Sequence, residues 1–86
     1  MGKTLAIFKI KAKEDVEIKD CIEEIKKAKK GTFTDAKENP IGFGIILIKA
    51  AFMIPEKQDN VINELTEELN NMDKVEEAEL EGMTLV

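Results

Sequence analysis

The chain contains no histidine, arginine, tryptophan or tyrosine, and it has a single cysteine. Each absence removes a class of chemistry. Without histidine, the commonest general base and the commonest metal ligand are missing. One cysteine and no histidine cannot build a zinc site of the usual kinds. Without arginine there is no bidentate guanidinium clamp for phosphate. Cys21 can form no intramolecular disulfide, which fits a reducing compartment. No Walker-type loop or dinucleotide fingerprint is present. Among the abundant Lys, Asp and Glu residues no constellation forms around a nucleophile, so the expectation is a protein that is not an enzyme and that needs no cofactor. The longest apolar run, Ile45 to Ile48, is far too short to span a bilayer. Met1 to Lys13 alternates lysines with apolar residues and does not read as a signal peptide. A cytoplasmic protein without membrane attachment is expected.

The 86 residues suffice for one domain, taken as residues 1–86, and not for two. At 43% hydrophobic and 36% charged, the composition is that of a folded globular chain rather than a disordered one. The net charge of −5 repels phosphate backbones, so direct nucleic-acid binding is not expected. The lysine group Lys26, Lys27, Lys29 and Lys30 reads as a solvated helix end rather than a phosphate site.

Periodicity supplies the elements. From Lys3 to Ala12, Ala6, Phe8, Ile10 and Ala12 share one strand face, and Leu5, Ile7, Lys9 and Lys11 the other. Ile18, Cys21, Ile22 and Ile25 mark a helical stripe, with Asp15 as its candidate cap and Gly31 as the left-handed residue after the lysines. Cys21 on that stripe reads as a buried small hydrophobe. Thr32 to Lys37 is a second strand, which Glu38-Asn39-Pro40 is expected to break. Ile45 to Ile54 suits a central strand covered on both faces and ended by Pro55. Gln58 to Met72 is a second amphipathic helix, with Val61, Ile62, Leu65, Leu69 and Met72 as its stripe. Val75 to Met83 is a last strand, with Ala78, Leu80 and Gly82 on one face and Glu77, Glu79 and Glu81 on the other. The order predicts an α+β ferredoxin-like βαββαβ sandwich, a four-stranded antiparallel sheet with two helices on one face. In that topology Lys9 and Lys11 lie across from the glutamates of the last strand. That face, turned away from the helices, is uncovered, also carries Leu5 and Ile7, and is a candidate partner surface.

The most distinctive segment is Asn39-Pro40-Ile41-Gly42-Phe43-Gly44, two glycines flanking a phenylalanine after a proline. Taken with its neighbours, Glu38 to Ile45 resembles the E-x-P-I-(A/G)-(F/Y)-G-(L/I) segment of elongation factor 1-beta. That family exchanges guanine nucleotide on elongation factor 1-alpha. The stretch Met72 to Leu80 resembles the family's I-x-x-V-(E/Q)-S-(V)-(E/D)-(V/I) ending. The early lysine strand suits its short archaeal-type members, which consist of the exchange domain alone. The resemblance covers essentially the whole chain and implies the same sandwich fold. It implies binding to the GTPase elongation factor 1-alpha as a monomer, and loosening of its magnesium and phosphate contacts so that GDP gives way to GTP. The partner-binding residues it implies are Pro40, Ile41, Gly42, Phe43 and Gly44; Met83 and Leu85, which the resemblance does not supply, are expected as an apolar wedge that substitutes for a terminal cation of the family, the alternatives being weak exchange or another role. One departure stands out. Eukaryotic relatives carry a lysine one residue before their C-terminus and archaeal-type relatives arginines nearby, whereas this chain has Thr84 and Leu85 and no cation beyond Lys74. The alternative is a ferredoxin-like regulatory or assembly module that self-associates, or binds a small molecule, through its uncovered sheet face.

Overall fold

A computed structural model describes residues 3–55 and 59–85. The elements are β1 (Lys3–Ala12), α1 (Ile18–Ile25), β2 (Thr32–Gly42), β3 (Ile45–Pro55), α2 (Asp59–Asn70) and β4 (Val75–Leu85). They form the expected α+β sandwich. One antiparallel sheet has the strand order β2-β3-β1-β4, so β1 pairs with both β3 and β4. Both helices lie on the same sheet face. There Cys21 and Ile25 of α1, and Leu65 and Leu69 of α2, are fully buried against Ala6, Phe8, Ile10, Ile48 and Phe52. Phe52 is the hub of this core. Phe8 and Phe33 meet it edge-on from the two neighbouring strands, with ring centroids 5.8 and 5.7 Å away, the arrangement that the ring quadrupoles favour.

Four extra residues bend the ladders, and they explain spacings that strict alternation cannot. Phe33 pairs with Phe52 and Asp35 with Ala51, which leaves Thr34 as a bulge. Phe33 and Ala36, three apart, can therefore both pack on the core. Glu76 is skipped in the same way between Val75 and Glu77, so that Val75 and Ala78 are both buried. A third bulge, at Glu81, corrects the face expected for Gly82. Leu80 pairs with Phe8, but Gly82 pairs with Ile7 and so shares the uncovered face instead of joining Ala78 and Leu80. The fourth, at Ile41, leads into the β2–β3 connection.

Other expectations at the element ends are corrected. Pro40 does not break β2, which continues to Gly42 with Pro40 across from Ile46. The reason is position: β2 is an edge strand, and one of its sides needs no donor. β3 runs one residue further than expected, with Pro55 across from Lys3, and it is covered by helices on one face only. β4 extends to Leu85, across from Thr4. Asp15 does not cap α1; Glu17 occupies the N-cap without a side-chain bond, and the lysines follow the helix rather than filling its last turn. Gly31 is not left-handed. A Cβ there would lie 2.9 Å from Cδ2 of the buried Leu65, so glycine is required by close approach to α2. Of the second helix's expected span, Gln58 lies outside the described residues.

Polar side chains pin the loops onto this frame. The Glu68 carboxylate accepts the backbone N–H groups of Lys29 (2.9 Å) and Lys30 (3.1 Å). Glu24 accepts the N–H of Lys74 at 2.8 Å. The Asn70 amide both donates to the carbonyl and accepts from the N–H of Ala78, each at 2.9 Å. Such groups serve where two connections would otherwise leave backbone donors unmatched.

Phe52→Ala is expected to cost about 3–5 kcal/mol, because it removes a buried ring that two others contact. Urea unfolding followed by circular dichroism should show the midpoint falling steeply. A loss below about 1 kcal/mol would mean that the core collapses around the gap.

Candidate functional site

The β2–β3 hairpin closes on Phe43 and Gly44, between the paired residues Gly42 and Ile45. Both loop residues have positive φ, Phe43 at 57° and Gly44 at 75°, the pattern of the tight turn whose twist matches a hairpin. Gly42 is also positive, at 103°. No heavy atom lies within 4 Å of a Cβ built at Gly42 or Gly44, so dihedral angle and not space demands glycine at both. Phe43 has no such freedom. A left-handed conformation costs a residue with a Cβ roughly 1–2 kcal/mol, and here the ring gains no burial in return, being fully exposed at 103%. Ile41 beside it is 53% exposed and Ile45 40%. The tip therefore presents three large apolar side chains to solvent on a tightly constrained turn. Strained backbone together with exposed apolar surface is the pattern of a binding element.

Among the described residues Met83, 56% exposed, is the other exposed large apolar side chain. It pairs with Ala6, and Leu85 with Thr4, so the Glu81 bulge sets both at core-face positions of β4, away from the salt-bridged face. The Leu85 side chain lies outside the described ones. The structure does not bring the two predicted groups together. Pro40 stands across from Ile46, whereas Leu85 and Ile54 flank Thr4 from either side. Ile46 and Ile54 are eight residues apart along β3 (54 − 46), or ~27 Å at the rise of an antiparallel strand. The candidate site is thus two apolar ends of one rigid sheet, in a molecule 41 Å long. Sequence reasoning missed Ile45 as part of the tip; its signal was its place directly after the glycine in the quoted segment.

Between these ends, the uncovered face carries ion pairs Lys9–Glu79 (3.2 Å) and Lys49–Glu81 (3.6 Å). All four side chains are well solvated, so each pair contributes at most about 1 kcal/mol. No group of three or more potential metal ligands occurs among the described residues, and none of their helices is long and apolar enough to cross a membrane.

Comparisons with known proteins identify the family. The family described as the EF-1 guanine nucleotide exchange domain matches residues 5–86. The chain belongs to the elongation factor 1-beta family. The elongation factor 1-beta of Methanospirillum hungatei is 33% identical over 86 residues, covering all of both chains. Among solved structures, the C-terminal domain of the MgtC protein from Mycobacterium tuberculosis superposes with a TM-score of 0.51 at 13% identity, covering 100% of this chain and 86% of that one. At that identity the likeness concerns the sandwich alone. Family membership gives the chain its role, guanine-nucleotide exchange on elongation factor 1-alpha, and makes it a regulator of a GTPase.

The one nucleophilic side chain takes no part in the site. Cys21 is fully buried. Burial, reinforced by the nearby Glu24 carboxylate and opposed by Lys74, pushes its thiol up from 9.0 to about 11. The unfolded thiol ionises first, so this contribution to stability is intact below pH 9 and is lost as pH rises from 9 toward 11. Disulfide-exchange reagents at pH 8 should modify Cys21 only at the rate of unfolding. Rapid modification of the native protein would show that α1 opens locally.

Proposed function

We propose that the protein promotes nucleotide exchange by gripping elongation factor 1-alpha at both ends of its sheet at once. Pro40 to Gly44 dock at one point on the GTPase, and Met83 and Leu85 wedge in at a second point ~27 Å away, the separation set by the rise of β3. The whole chain, residues 1–86, acts as the exchange unit, one copy per GTPase, in the cytosol where translation runs. No bond of the nucleotide is made or broken. The protein binds the nucleotide-poor conformation of its partner more tightly than the GDP-bound one, and that difference in affinity loosens the magnesium and phosphate contacts.

The observation that carries this reading is the exposed, strained Phe43 between Ile41 and Ile45. A rigid, preorganised apolar anchor loses little entropy on docking and is the kind of residue that dominates an interface. Rigidity also links the two ends: contact at the tip dictates where the end of β4 must fall. Met83 and Leu85 are apolar, so the disturbance they make at that end is steric. The net charge of −5 favours approach to a basic surface on the partner.

Release of a fluorescent GDP analogue from the cognate elongation factor 1-alpha tests the reading. Phe43→Ala should reduce the acceleration at least tenfold, a loss of roughly 1.4 kcal/mol of coupling, while leaving thermal stability unchanged or raised. Leu85→Ala should slow exchange with less effect on binding, since the wedge acts on the nucleotide site. Wild-type rates from both variants would remove these residues from the interface.

A further inference from the structure

The apolar surface of the hairpin tip does not stop at the turn. β3 leaves the turn as a regular strand, and Ile48, Ala50, Phe52 and Ile54 are the residues it buries beneath the helices. Ile45 and Leu47 alternate with these, so both belong to the uncovered face. Across the ladder from Ile45 stands Gly42, which has no side chain to cover it. Leu47, two residues or ~7 Å further along the strand, is half-buried. Among the described residues, Leu47 alone supplies an apolar lining to a shallow cleft of about 200 Å³ walled by Lys9, Lys11, Glu77 and Glu79. Two lysines and two glutamates leave those walls without net charge, and Lys9 is already bridged to Glu79 at 3.2 Å. The cleft therefore offers a partner apolar contact on Leu47 rather than a charge to match. Phe43, Ile45 and Leu47 form one strip that begins at the turn and ends among charged residues, the layout of an apolar interface core with a polar rim.

We infer that elongation factor 1-alpha lies against the uncovered face at the hairpin end, where Ile45 and Leu47 continue the contact that Phe43 opens. The inference rests on the docking of the hairpin tip proposed above. The occupant of the cleft is an apolar side chain of the GTPase, set close to the pocket that takes the Phe43 ring. A single exposed apolar residue is ordinary on a protein surface, whereas three at successive alternate positions, starting on a turn fixed by its glycines, make a contiguous patch. The placement has a geometric consequence. Met83 stands across from Ala6, a core-face residue, so the far end of β4 carries its apolar position on the helix side. The two contacts thus fall on opposite faces of the sheet as well as at opposite ends. One continuous flat surface on the GTPase cannot serve both, and the partner meets the molecule in two separate patches. Ile45 and Leu47 belong to the patch that holds the partner, far from the end that disturbs its nucleotide.

Two measurements on the full chain test this: calorimetric titration of nucleotide-free elongation factor 1-alpha, and GDP release as a function of the concentration of this protein. Ile45→Lys and Leu47→Lys should each weaken binding at least tenfold and raise the half-saturating concentration by a similar factor. The maximal release rate at saturation should stay at the wild-type value, because the strip holds the partner without touching its nucleotide site. Leu47→Met, which keeps volume and apolar character, should bind as wild type. So should Thr32→Lys, an exposed position on the same face at the far end of the sheet. Thermal melting followed by circular dichroism checks that every variant is folded. Wild-type binding by Ile45→Lys and Leu47→Lys, with Phe43→Ala still defective, would overturn the inference and leave the docking of the tip in place. Equal losses from Thr32→Lys would overturn it too, since the effect would then be one of added charge. Wild-type rates from Phe43→Ala would instead remove the tip reading on which the inference rests.

Discussion

The ladder that holds β1 between β3 and β4 is the constraint on which the rest of this molecule depends. Alternate residues of β1, namely Ala6, Phe8 and Ile10, are completely buried, so the strand cannot slip by one position without turning its core outward. With that register set, Phe8 meets Phe52, and Phe52 in turn meets Phe33 of the edge strand. The helices close over these rings. The same register sends the β2–β3 hairpin to one end of the sheet and the end of β4 to the other. The distance between the two ends of the proposed interface is therefore a property of the core.

A domain of this size has little stability in reserve. It nevertheless carries a left-handed phenylalanine with no burial to compensate for the strain. Glycines on both sides keep the strain confined to the turn. The cost is small beside the core, and it yields an apolar anchor that is already ordered before any partner arrives. An exchange factor that works by rigid contact at two points gains from such order, because flexibility at either end would dissipate the disturbance at the other.

The charges act on a different scale. Most of the 31 charged side chains (13 + 18) face solvent, where individual pairs contribute little. Their weight lies in placement. Glu24, Glu68 and Asn70 use polar atoms to hold connections together. Bulges at Thr34, Glu76 and Glu81 add twist and irregularity to the two edge strands, which discourages open-ended pairing at the edges.

Much of this was legible in the sequence by itself. Alternation in Lys3–Ala12, the stripes through Cys21 and Leu65, and the glycine-flanked Phe43 determined the element order, the sandwich and the hairpin tip. Those signals are local: each is a rule about neighbours along the chain. Local rules make Pro40 a break, but tolerance of proline depends on which strand lies at the edge. They make Gly31 a helix end, but its reason is Leu65, on the other helix. They set Gly82 with Leu80, but one extra residue at Glu81 inverts the alternation. The separation of Phe43 from Leu85 also belongs to the tertiary structure alone. Each depends on which residue pairs with which across the sheet, and the energy of that pairing arises between segments that no window along the sequence contains.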